Sequence, residues 1–245
     1  MPDSPISSPW ENSAFAEKSL AHVDEKFLSQ TQQQVDWLMQ KMQLCPGSAL
    51  LDLGCGAGRH AIAFSQRGVR VTGIDISETM LAQARIQAAA AGVDVCFMRE
   101  NLANLAQLQL PVFQGAICLC ESGLGVLGGE GRDYEFLRQA RALLAPGAWF
   151  ALTNFNALRR YIRDGNRNPR FDCIDGTMDW SCELEGGTRL QETQRQYTPS
   201  EIKLLLRLCG FQEIEVLSCA DGQFSDAPMG IEDIEMLVCA KRGEV

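Results

Sequence analysis

The chain has 245 residues, 46% hydrophobic and 22% charged, with a formal net charge of −9 at pH 7. That length suits one large domain or a domain with an insert, and the acidic balance excludes the basic footprint of a nucleic-acid or anionic-membrane binder. No apolar run approaches the roughly 18 residues of a membrane span, and the ten cysteines and two histidines show no metal-ligand spacing. The opening MPDSPISSPWENSAF lacks the basic-then-apolar order of a signal peptide. A cytoplasmic protein without a metal is expected, its cysteines acting as small buried hydrophobes in a reducing compartment.

Residues 1–47 read as an N-terminal helical cap. SAFAEKSLAHVDEKFLSQ is one helical stretch. TQQQVDWLMQKMQL is the next, with Val35, Leu38, Met39 and Met42 in an i, i+3, i+4, i+7 stripe that Pro46-Gly47 ends. From Ser48 strand and helix alternate. SALLDL, VRVTGID, VDVCFM, FQGAICLC and AWFALTNF read as strands. GRHAIAFSQRG, ETMLAQARIQAAAAG (capped by Ser77) and DYEFLRQARALLAPG (closed by Pro-Gly) read as helices. Over 48–156 this predicts an α/β fold, a parallel sheet covered on both faces.

The pattern breaks at residue 157. ALRRYIRDGNRNPR is polar and basic and reads as a solvated loop. FDCI, MDWSCEL and TRLQETQRQY, separated by Asp175-Gly176 and Glu185-Gly186-Gly187, predict a small antiparallel β meander inserted over 157–197. Met178, Trp180, Cys182 and Leu184 share its apolar face. Over 198–245 alternation resumes. Thr198-Pro199-Ser200-Glu201 is a capping box that starts a helix ending at Gly210, followed by the strands FQEIEVLSCA and IEMLVCAK.

The glycine burst in LDLGCGAGRH places main chain against a ligand at a helix start. No lysine follows, which excludes a Walker A loop. Gly54, Gly56 and Gly58 are spaced G-x-G-x-G, and Arg59 stands where a dinucleotide fingerprint needs its third glycine, so a nicotinamide-dependent oxidoreductase fails there. Asp75, ending the second strand, is placed to meet the hydroxyls of an unmodified ribose. The site wants a nucleoside without a pyrophosphate.

Asp52-Leu53-Gly54-Cys55-Gly56-Ala57-Gly58, with VTGIDIS, resembles the first two motifs of class I S-adenosylmethionine-dependent methyltransferases. RENLANL resembles the third, with Asn101 in place of its usual aspartate. FQGAICLCESG, LRQARALLAPGAWFALTNFN and YTPSEIKLLLRLCGF resemble the later elements, so the resemblance spans about 48–155 and 197–241. It implies a Rossmann-like seven-stranded sheet, mostly parallel with the last strand antiparallel, together with the inserted meander and N-terminal helices. It implies S-adenosyl-L-methionine as cofactor and S-adenosyl-L-homocysteine as product. Asp52, Gly54, Cys55, Gly56 and Gly58 would form the first cofactor motif. Asp75 would hold the ribose, Ile76 the adenine face, Asn101 and the Leu102 backbone the ring edge, and Cys120 would sit beside them.

Methyl transfer from a sulfonium needs alignment more than a base. Glu121, after the fourth strand, Tyr197, before the capped helix, and His60, after the glycines, are the catalytic candidates. Tyr161 lies at the same end of the sheet. Arg159 and Arg160 are candidates for an anionic group on the substrate. A small-molecule methyl acceptor is the expected partner. The alternatives are a protein or tRNA methyltransferase and a non-catalytic cofactor-binding subunit on the same fold.

Overall fold

A computed structural model of the protein describes residues 8–21, 28–120, 123–163 and 168–244. β1 (Ala49–Leu53) is buried along its whole length and pairs in parallel with β2 (Arg70–Asp75) and β4 (Phe113–Cys118). With β3 (Cys96–Arg99), β5 (Leu144–Phe155), β9 (Phe211–Ser218) and β10 (Glu235–Arg242) they form a seven-stranded sheet in the order β3-β2-β1-β4-β5-β10-β9. β10 runs antiparallel to both neighbours, while the pairings among β1 to β5 are parallel. The predicted sheet, mostly parallel with a reversed last strand, is the one observed.

Side chains alternate across this sheet and divide the interior in two. Leu51 and Leu53 of β1 and Phe150 and Leu152 of β5 meet α5 (Glu130–Ala142) and α7 (Pro199–Leu208) through Phe136, Leu137, Ile202 and Leu206. Leu50, Trp149 and Ala151 point the other way. They meet Val35 and Leu38 of α2 (Thr31–Lys41) and Phe64 of α3 (Arg59–Gln66). The N-terminal α2 thus belongs to the core of the main sheet. Ser77 caps α4 (Glu78–Ala90) through the Met80 N–H, as expected. Of the first helical stretch, α1 (Ser13–Ala21) is seen, and 22–27 lie outside the described residues.

Two expectations are corrected. The basic segment after β5 is not all loop: Ala157–Arg163 form helix α6, begun where the Asn156 side chain accepts from the Leu158 and Arg159 N–H groups. Helix α5 ends at Ala142, short of the Pro-Gly pair. Pro146 and Gly147 lie instead in the irregular start of β5, where pairing jumps from Phe113–Leu144 to Gly115–Trp149. Five thiols are buried, those of Cys55, Cys118, Cys209, Cys219 and Cys239. Among the described residues no helix is long and apolar enough to cross a membrane.

The meander is a separate antiparallel sheet of β6 (Phe171–Asp172), β7 (Thr177–Glu183) and β8 (Arg189–Arg195), in that order. A buried polar node fastens its end to the main domain. The fully buried Asp133 carboxylate accepts from the Tyr197 hydroxyl at 2.6 Å and from the Gly125 N–H at 3.0 Å. The Arg195 N–H donates to the Gly125 carbonyl at 2.8 Å, and the Arg195 guanidinium lies over the Tyr197 ring while pairing with Glu201 and Glu130. Burial raises the Asp133 carboxyl above its usual range, and the Tyr197 and Gly125 donors oppose that rise. Removing one donor from a buried carboxylate costs about 1–3 kcal/mol. Tyr197→Phe should therefore lower the unfolding free energy by about that amount in a urea titration, without changing the secondary structure.

Candidate functional site

The glycine turn follows β1 and is pinned to β2. The N–H groups of Gly54 and Cys55 both donate to the Ile74 carbonyl, at 2.8 and 3.0 Å. The Gly56 N–H donates to Asp75 Oδ2 at 2.8 Å, and the Ser77 N–H donates to Asp75 Oδ1 at 2.8 Å. Gly54 and Gly56 have φ of +74° and +53°, the left-handed region that glycine adopts without a Cβ penalty. A Cβ built on Gly56 would meet nothing within 4 Å, because this face of the turn opens on a cavity of about 1010 Å³.

The cavity wall includes Asp52, Gly54, Cys55, Gly56, Asp75, Ile76, Asn101, Leu102 and Cys120. These are the predicted cofactor residues with one exception. Gly58, with φ of +79°, is not on the wall. A Cβ there would come within 2.9 Å of the Phe97 ring and 3.0 Å of the Ala84 methyl, so this glycine lets α3 start close against β3 and α4. Asn101 turns its Oδ1 to the Ala103 N–H at 2.9 Å, capping the 3-10 turn Leu102–Gln107. Cys120 has φ of +63° and donates its N–H to Thr153 Oγ1 at 2.7 Å.

Two buried carboxyls face one another across the turn. Burial, and next the Asp75 charge, push the Asp52 carboxyl up to about 7, with Arg59 and the Ala61 N–H pulling against them. Burial also raises Asp75, which the N–H groups of Ser77, Gly56 and Ile76 partly offset. A cationic ligand favours the ionised form of both.

The catalytic candidates separate. His60 is on the wall, buried, with Nε2 2.8 Å from Gln34 Oε1. Burial and the neighbouring Arg59 hold its pKa well below 6.5. Tyr197, a catalytic candidate from the sequence, is not on the wall: its hydroxyl is held by Asp133 in the interior. Glu121 lies outside the described residues. Arg159 and Arg160, on α6, are also absent from the wall, and Tyr161 packs edge-on against Phe171 at 5.2 Å.

Sequence reasoning missed part of the site. Arg59 noted only as a misfit for a dinucleotide turn, is on the wall, where Nη1 donates to Thr31 Oγ1 and Gln34 Oε1 and Nη2 to Cys120 Sγ, at 2.8, 3.0 and 2.9 Å. It ties α2 to the loop after β4, and nothing in the spacing announces that. The cavity wall also takes Trp10, Glu17 and Leu20 from the N-terminal segment, Val126 and Leu127 from the segment before α5, and Glu192 from β8.

Residues 50–147 match the family model described as "Methyltransferase domain". The ubiquinone biosynthesis O-methyltransferase of Pseudomonas aeruginosa strain UCBPP-PA14 is 31% identical over 122 residues, 50% of this chain and 50% of that protein. The chain spans about a third to a half of the length of the curated relatives it matches. The CcbJ methyltransferase of Streptomyces caelestis superposes with a TM-score of 0.73 at 19% identity, covering 97% of this chain and 98% of that one. The magnesium protoporphyrin IX methyltransferase of Synechocystis PCC 6803, solved with bound S-adenosylhomocysteine, gives 0.60 at 19% identity, covering 96% of both chains. At such identities the two structures establish the fold. The matched residues 50–147 include the glycine turn and Asp75, so over that span the chain is similar to methyltransferase domains.

Proposed function

We propose that the protein methylates a small-molecule acceptor with S-adenosylmethionine, and that it does so mainly by positioning. The observation that carries this reading is one cavity lined both by the Gly56–Asp75 hook and by the N-terminal segment and β8. The residues present fit the cofactor. Gly56 leaves open space where any Cβ would intrude, and each Asp75 oxygen accepts one backbone N–H and retains a lone pair for a ribose hydroxyl. Asp52, Cys55, Ile76, Asn101, Leu102 and Cys120 complete the cofactor end.

When bound, S-adenosylmethionine supplies a methyl group already activated on a sulfonium. The chain's own task is to orient the acceptor and exclude water, which is worth several kcal/mol, up to about 7–11 in well-aligned systems. His60 is a weak candidate for a base. Its lowered pKa leaves it neutral but a poor proton acceptor. Glu121 follows the Cys120 turn in sequence and remains the candidate for a direct role at the acceptor. The curated relatives are named O-methyltransferases, which supports a small-molecule acceptor of the oxygen, nitrogen or carbon class.

Calorimetry with S-adenosylhomocysteine, NAD and ATP tests the cofactor. Only the sulfur nucleoside should bind, and at 100 times its Kd it should stabilise the fold by about 2.7 kcal/mol. Asp75→Ala should weaken it by at least about tenfold for each charge-assisted hydrogen bond lost. Binding of NAD instead would overturn the assignment.

The buried Asp52 adds a pH signature. Its carboxyl ionises near 7, so affinity for the cationic S-adenosylmethionine should rise as pH increases from about 6 to 8. Asp52→Asn should flatten that rise, and S-adenosylhomocysteine, without the sulfonium charge, should show less of it. A pH-independent Kd for S-adenosylmethionine in the wild type would refute this role for Asp52.

A further inference from the structure

Away from the glycine turn in sequence, the cavity wall holds a carboxylate with no partner among the described residues. Glu192 lies on β8 directly opposite Trp180 of β7, so the two side chains share one face of the meander. That face meets the N-terminal segment through an aromatic chain: Trp180 packs edge-on against Phe15 at 5.3 Å, and Phe15 against Trp10 at 4.8 Å. Glu192 and Trp10 both line the cavity. Glu192 is more buried than its neighbours Gln191 and Thr193, which are exposed. No hydrogen bond or ion pair to it exists among the described residues, and burial alone raises its carboxyl above the usual range. Asp75 and Asp133, which are more deeply buried, each hold two donors.

We propose that Glu192 and Trp10 form a subsite for a protonated amine carried by the methyl acceptor. A half-buried carboxylate without a donor is unfavourable until a ligand supplies one, and a cation supplies both the donor and the opposite charge. The Trp10 indole on the same cavity wall adds attraction for a cation that a neutral hydroxyl does not receive. Glu17, on the same wall, reinforces the negative field. Arg132 opposes it, but its Nη1 is turned to the Leu127 carbonyl at 3.4 Å, on the segment before α5. The subsite would select among acceptors by their charge and leaves the cofactor end untouched. This inference rests on the methyltransferase reading above.

The test uses tyramine and phenethylamine with their matched alcohols, tyrosol and 2-phenylethanol, titrated by calorimetry into protein saturated with S-adenosylhomocysteine. In the wild type the amines should bind at least about tenfold more tightly than the alcohols. Glu192→Gln should bring each pair to within about twofold, while the Tm and the Kd for S-adenosylhomocysteine stay unchanged. Equal affinity within the pairs, no binding by either amine up to about 10 mM, or a preference that survives Glu192→Gln would overturn the subsite. Failure to bind S-adenosylhomocysteine would instead sink the methyltransferase reading. The same titrations on cofactor-free protein would then decide the amine subsite alone.

Discussion

The end of β2 fixes the rest of the molecule's working end. One carbonyl, that of Ile74, accepts the N–H groups of both Gly54 and Cys55, and the next residue's carboxylate accepts that of Gly56. Three consecutive donors of the turn are thereby satisfied by two consecutive residues of the neighbouring strand. Left-handed φ at Gly54 and Gly56 is what lets the chain make this turn, and it leaves the outer face bare of side chains. Asp75 therefore works twice. It closes the turn by accepting one N–H at each oxygen, and it lines the cavity. Because the hook is part of the β1–β2 junction, the ligand site cannot loosen without loosening the sheet.

A second constraint, the Asp133 node, governs where the far wall stands. Asp133 binds the Gly125 N–H and the Tyr197 hydroxyl, and the Gly125 carbonyl binds the N–H of Arg195 at the end of β8. Gly125 has φ of +93°, and a Cβ on it would collide with the Arg195 carbonyl, so the two backbones can approach only through a glycine. Val126 and Leu127 follow immediately and form wall, as do Gln191 to Thr193 a few residues before Arg195. One buried carboxylate thus sets the position of two wall segments that are far apart in sequence. Its cost of burial is offset by hydrogen bonds, and the Arg195–Tyr197 stack covers it from solvent.

Features carried by local chemistry were legible in the sequence, and those carried by distant partners were not. The Thr198–Glu201 box was readable because both of its bonds lie within four residues, and both are present. The glycine turn and the strands were readable from local residue pattern, although their bonding partners lie far off in sequence. Tyr197 was not: an aromatic before a capped helix looks alike whether it faces a cavity or a core, and Asp133, 64 positions away, decided the matter. Gly58 shares the spacing of the ligand glycines, yet Phe97 and Ala84, from two later elements, claim the space beside it. The basic residues of α6 hid a helix whose start depends on the Asn156 side chain. The acceptor wall came from three separate segments, and no spacing rule joins them.

The chemistry near the turn follows from one amide. Gln34 Nε2 donates to the Gly222 carbonyl at 2.6 Å, which leaves Oε1 to accept from Arg59 at 3.0 Å and to face His60 Nε2 at 2.8 Å. An amide oxygen carries no hydrogen and can only accept, so the proton of the neutral His60 sits on Nε2 and not on Nδ1. Protonating Nδ1 would place a second positive charge beside Arg59 in a buried site, and this is why the imidazole stays neutral. The histidine on the cavity wall is thereby kept from adding a second cation beside Arg59. Asp52 and Asp75 carry the opposite sign there, and Arg59 is held back against Thr31, Gln34 and Cys120. This charge pattern supports the proposed reading, in which the protein holds a cationic donor in place more than it activates a nucleophile.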